Sequence, residues 1–175
     1  MNLSYQRWKK LFLFSLGLAV SASFCMKWIE DSFWFQDEKF TIFGLELFYP
    51  KEKIMSILSG IDGHVKTVLR YHLSFDFAFM AGVYQGIAAL CMMAREKVST
   101  GFLKRILFLF AALQLVAWGC DITENSFLFK WIKEPQIGNE FSTYHITVST
   151  KWILAVAGAL LAIPFILLRS KKAHG

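Results

Sequence analysis

The chain has 175 residues, a length that suits one soluble domain, yet 55% of them are hydrophobic and 17% aromatic, with a mean hydropathy of +0.44. That balance exceeds ordinary globular usage and points to a membrane protein. The formal charge of +6 invites a nucleic-acid reading, but the basic residues follow the apolar runs instead of forming one patch, so no nucleic-acid partner is expected.

The first apolar run, Leu11 to Met26, follows Arg7, Lys9 and Lys10. This pattern shares features with a secretory signal peptide, and Val20-Ser21-Ala22 would pass for its cleavage site. The apolar character nevertheless continues through Phe24 and Cys25 to an interfacial Trp28, which favours a retained helix. A long connection runs from Ile29 to about Lys66. Within it "KFTIFGLELFYP" reads as strand-like or irregular, whereas "PKEKIMSILSGI" reads as a helix. Pro50 suits a first turn, Ile54, Ile57, Leu58 and Ile61 recur on one face, and Gly60 or Gly63 would end it. Such a helix either lies in the membrane interface or covers the end of the bundle.

Further apolar runs lie at Phe77 to Ala94, Ile106 to Cys120 and Trp152 to Leu168, each near the roughly 20 residues that cross a bilayer. The second carries Gly82 and Gly86, a GxxxG pair extended by Ala78, which is assigned to close helix packing. The expected fold is therefore all-α: an integral-membrane four-helix bundle with antiparallel spans at about 8–28, 70–94, 103–129 and 144–168. A loop over 29–66 contains the short amphipathic helix, and residues 1–175 form a single domain.

Basic residues mark one side: Arg7, Lys9, Lys10, Arg95, Lys97, Lys104, Arg105, Arg169, Lys171 and Lys172, with Glu96 the sole acid among them. The positive-inside rule makes this side, with both termini, cytoplasmic. The other side mixes acids with lysines and is expected to face out. Which membrane holds the chain is left open. Cys25, Cys91 and Cys120 form no CxxC or zinc spacing. They read mainly as small packing residues, with a Cys25–Cys120 disulfide the alternative.

One polar cluster stands out, the "CDITEN" that ends the third run. At 1.5 Å per residue, Asp121 lies about 24 Å and Glu124 about 28 Å from Arg105, while Asp76 on the second span lies about 28 Å from Arg95. All three therefore reach nearly the same level at the outer edge. Helical phase groups Gln114, Trp118, Asp121 and Asn125 on the third span, and His72 with Asp76 on the second. On the fourth it groups His145, Ser149 and Trp152, with Lys151 adjacent. The expected binding set is His72, Asp76, Gln114, Trp118, Asp121, Glu124, Asn125, His145 and Ser149. The rival reading is structural: the acids point into water or pair with Arg70 and Lys151, and the amide fixes helix register.

No HExxH, GxSxG or glycine-rich phosphate loop occurs, and the histidines, His64 and His174 included, are poorly spaced for haem. No metal is assigned, and the cofactor is left unknown. Carboxylates beside His72 suit a protonated amine or lipid head group and permit acid–base exchange. In its long first loop and in Asp76 early in the second span, the chain resembles the small four-span sterol-isomerase and sigma-2-receptor type of protein, the EXPERA fold. The "DITEN" stretch departs from that family's motifs, so the resemblance implies only an acid-lined lipid pocket. The expected function is an outward-facing acidic and histidine pocket for a small lipophilic or cationic ligand. The alternative is a non-catalytic subunit or assembly factor that meets a membrane-protein partner through the GxxxG face and loop.

Overall fold

The computed structural model describes residues 3–167. Arg169, Lys171, Lys172 and His174 lie outside that range. Four long helices dominate: α1 (Leu3–Ile29), α3 (Gly63–Lys97), α4 (Gly101–Lys133) and α5 (Glu140–Leu167). Each is long and apolar enough to cross a membrane.

The helices outrun the apolar runs at most ends, because a cap, not the last apolar residue, sets a helix boundary. Asp62 shows this before α3, where its Oδ1 accepts the Val65 N–H at 2.8 Å and opens the helix well before the first apolar run of that span. The loop between α1 and α3 is correspondingly shorter than expected. It holds a 3-10 turn (Glu30–Ser32), a two-residue hairpin pairing β1 (Trp34–Phe35) with β2 (Glu38–Lys39), a π-helical turn (Gly44–Phe48), and α2 (Lys51–Gly60). Gln36 and Asp37 take positive φ at the hairpin tip. The stretch expected to be strand-like or irregular is instead mainly helical, with only Lys39 in a strand and irregular backbone on either side of the turn.

α3 is the hub. It packs on α1, α4 and α5, and α4 also packs on α5. The contact with α1 uses small residues: a Cβ on Gly82 would lie 2.6 Å from the Ala19 backbone nitrogen and 2.8 Å from the Ser15 carbonyl oxygen. The GxxxG face is thus occupied within the chain.

One end of the bundle is closed by the loop. Phe33, Phe40, Leu45 and the α2 residues Ile54, Ile57 and Leu58 bury against Leu128 and Trp131 of α4 and Tyr144 and Val148 of α5. At the other end Ser4 donates to Glu96 and the Lys97 ammonium donates to the Ile166 carbonyl. The first and last described turns are therefore both tied to the C-terminal end of α3.

Candidate functional site

Four helical positions bring polar side chains to the loop end. The buried face of α5 reads Tyr144, Val148, Lys151, Ala155, Gly158, Ala162, a spacing of three and four that aims Lys151 into the bundle. On α4 the buried face includes Gln114, Ala117, Asp121, Glu124, Asn125 and Leu128, so Asp121 and Glu124 meet it. The π-helical turn supplies the third acid, Glu46, from the loop.

The Lys151 ammonium lies 2.7 Å from Asp121 Oδ1, 2.5 Å from Glu124 Oε2 and 3.3 Å from Glu46 Oε2. All four side chains are at least nine-tenths buried. Asp121 also accepts a 2.7 Å hydrogen bond from the Tyr84 hydroxyl through Oδ2. Loop and bundle are tied again nearby, where the Tyr144 hydroxyl donates to the Leu45 carbonyl at 3.0 Å. Burial raises the Glu46 carboxyl above the ordinary carboxylate range, against the opposing pull of Lys151.

Asp76 stands differently. Its Oδ2 accepts the Asn125 side-chain N–H at 2.8 Å, and among the described residues no ammonium or guanidinium lies in salt-bridge range of it. Asp76, His72, Tyr84, Asp121, Glu46 and Lys151 contribute to the wall of one cavity of about 190 Å³. Phe43, Phe79, Val83 and Trp152 supply its apolar surface. Lys27 and Glu30 of the same wall pair with each other at 2.6 Å. His72 is buried against Phe33, with ring centroids 5.4 Å apart, and its Nδ1 has no hydrogen-bond partner among the described residues.

Comparison with protein-family models, with curated proteins and with solved structures gives no match.

Of the residues singled out in the sequence, His72, Asp76 and Asp121 share the cavity wall, Asn125 bonds Asp76, and Glu124 bonds Lys151 one layer behind. Four others stand apart. Gln114 donates to the Phe110 and Leu154 carbonyls, deeper between α4 and α5. Trp118 packs beside Met80 and Ala155. His145 lies against Phe141 and Tyr144, and Ser149 is exposed. The physical reason on α5 is phase: the inward face runs through Tyr144, Val148 and Lys151, which turns His145 and Ser149 away from it. Glu46, Tyr84 and Trp152 belong to the wall in their place. A lone acid inside the apolar "GLELF" was the available signal for Glu46, whereas nothing around Tyr84 marks it in the sequence.

Arg70 is exposed and enters no ion pair among the described residues, so Lys151 alone supplies the structural pairing considered for the acids. Cys25, Cys91 and Cys120 are free thiols, and Cys91 donates to the Gly158 carbonyl at 3.4 Å. Among the described residues no group of three or more His, Cys, Asp or Glu is placed to hold a metal ion.

Proposed function

We propose that the cavity binds a small lipophilic cation whose charged group pairs with Asp76. The observation that carries this reading is a charge excess: beside the Lys27–Glu30 pair, the site holds four carboxyl groups, Glu46, Asp76, Asp121 and Glu124, and one further ammonium, that of Lys151. Lys151 already engages three of them. Asp76 faces the cavity with only an amide for company, and aromatic rings form much of the remaining wall. A charge-assisted hydrogen bond from a ligand ammonium would complete Asp76, and rings around a cation add further attraction. His72 and Asp76, side by side in the wall, extend the reading to proton exchange with such a ligand.

The test uses dodecylamine as probe, with dodecanol as uncharged control, on protein in nanodiscs. Asp76→Asn keeps the side-chain shape and removes the charge, so it should weaken dodecylamine binding at least tenfold, as expected for about 1.5–3 kcal/mol in a charged hydrogen bond. Dodecanol binding and thermal stability should change little. Equal dodecylamine affinity in both proteins would sink the reading.

The subunit alternative loses one support, because the Gly82 and Gly86 face is filled by α1. Purification in mild detergent checks what remains of it: a stoichiometric partner protein would favour the alternative, and a protein free of partners the pocket.

The same proposal places the loop end outside and the α3–α4 turn in the cytoplasm, on the strength of the basic residues at that turn and at the N-terminus. An impermeant thiol reagent should then modify Asp37→Cys or Gly138→Cys in intact cells, and Ser99→Cys only after permeabilisation. The opposite pattern reverses the topology.

A further inference from the structure

Helical phase divides α3 into three sides. Gly82 and Gly86 meet α1, Gly82 against Ala19 and Ser15 and Gly86 against Ser15. Met80, Tyr84 and Cys91 turn toward α4 and α5, where Tyr84 bonds Asp121 and Cys91 bonds the Gly158 carbonyl. Between these two sides runs a third stripe, His72, Asp76, Phe79, Val83 and Ile87, at the three- and four-residue spacing of a single face. Asp76, Phe79, Val83 and Ile87 are all only half-buried, although their helix is the hub of the bundle.

The reason is a gap. α1 and α5 both pack on α3, but among the described residues no substantial contact joins them to each other. The cavity occupies the loop end of that gap: Ser23 and Met26 form its wall on α1, Trp152 and Ala155 on α5, and Val83 on α3. Its solvent side is covered by the loop, through the Glu46–Lys151 ion pair and the apolar cluster around Phe33, Phe40 and Leu45. Wall residues that remain exposed are Ser23 and Lys27 on α1 and Phe43, whose ring lies 5.8 Å from that of Trp152. The exposed part of the wall therefore lies on α1 and the loop, beside the gap between α1 and α5. Further along α3 the gap gives way to an apolar cluster in which Phe12 of α1, Ile87 of α3 and Leu161 and Phe165 of α5 pack against buried residues that include Leu90 and Ala94.

We infer that the ligand is a single-chain amphiphile drawn from the membrane, with its cationic head at Asp76 and its apolar chain lying along Phe79 and Val83 toward Ile87, between α1 and α5. The inference rests on the cationic reading of the site and adds the shape and source of the ligand. The cavity wall runs from Asp76 to Val83, about 10 Å of helix, and ends against Ile87, which packs with the clusters around Leu90 and Ala155. The polar end of the channel lies near the level of Lys27 and Glu30, where a head group in the membrane interface would arrive. Its apolar part continues toward the middle of the helix, where a chain already dissolved in lipid keeps an apolar environment.

The test is photolabelling in nanodiscs with dodecylamine carrying a diazirine at the chain end remote from the amine, followed by mapping of the adducts. Adducts should concentrate on Val83, Ile87 and the α1 and α5 residues beside them. They should fall at least fivefold in Asp76→Asn and in Val83→Trp, while labelling of the exposed Leu115 and Ile122 on α4 stays constant as the bulk-lipid reference. Should the tryptophan variant not fold, Val83→Cys blocked by a benzyl reagent after purification, with the native cysteines replaced, supplies the same obstruction. Labelling at Val83 and Ile87 no stronger than at Leu115, or Asp76-dependent adducts on loop residues such as Ile42, overturns the channel and leaves the cationic reading intact. Labelling that is concentrated at Val83 but indifferent to Asp76→Asn overturns the cationic reading and the inference with it.

Discussion

Replacing Lys151 with methionine should cost about 3–5 kcal/mol of stability, the cost of leaving buried charges without their counterion. Against a total of about 5–15 kcal/mol for a typical folded protein, this is enough to empty the folded state under mild heating. Methionine keeps most of the length and apolar volume of lysine, so the loss is electrostatic. Glu46, Asp121 and Glu124 would face one another with the Tyr84 hydroxyl as the remaining polar partner of Asp121. Thermal melting in a single detergent gives the measurement. Adding Glu46→Gln and Glu124→Gln to the methionine variant should recover part of the loss, because the mutual repulsion goes with the charges. A methionine variant as stable as the parent would mean that the cluster is not held by its ammonium.

The partial recovery matters for function as well as stability. Glu46 belongs to the loop, while Asp121 and Glu124 belong to α4 and Lys151 to α5, so one ammonium fixes how three segments sit over the cavity. Asp76 is outside this arrangement and, among the described residues, is bonded to Asn125. The two acids facing the cavity from α3 and α4 thus divide: Asp121 is paired with Lys151, and Asp76 has no cationic partner among the described residues.

How far the sequence shows this in advance depends on the kind of signal each residue carries. Helix existence is legible because four apolar runs of membrane-crossing length stand out against charged flanks. The shared level of Asp76 and Asp121 follows from rise per residue, which needs no knowledge of neighbours. Rotation is harder. On α4 the polar residues themselves mark the inward face, since an acid and an amide avoid lipid. On α5 three polar candidates, His145, Ser149 and Lys151, compete within two turns, and an apolar helix has no blank face to decide between them. Lys151 wins because a buried acid cluster needs its charge. Glu46 depends on a π-helical turn folding back over the bundle, a tertiary event that local spacing does not encode.

Gly82→Val should separate α1 from α3, with a loss of about 1–3 kcal/mol for forcing a side chain into a filled contact. The obstacle is backbone: a Cβ at this position would lie 2.6 Å from the Ala19 nitrogen and 2.9 Å from its Cα, so no rotamer change relieves it. α1 must move as a body, and its departure would also remove Ser23, Met26, Lys27 and Glu30 from the cavity wall. Gly86→Ala provides the contrast one turn away. There the new Cβ would lie 3.5 Å from Ser15 Cβ, an ordinary contact, and alanine gains about 1 kcal/mol of helix propensity over glycine. The alanine variant should therefore melt at or above the parent temperature, and the valine variant well below it. Two equal melting temperatures would show that α1 does not rest on this face. The glycines would then be available to a partner helix, and the subunit reading would regain the support that the α1 contact removes.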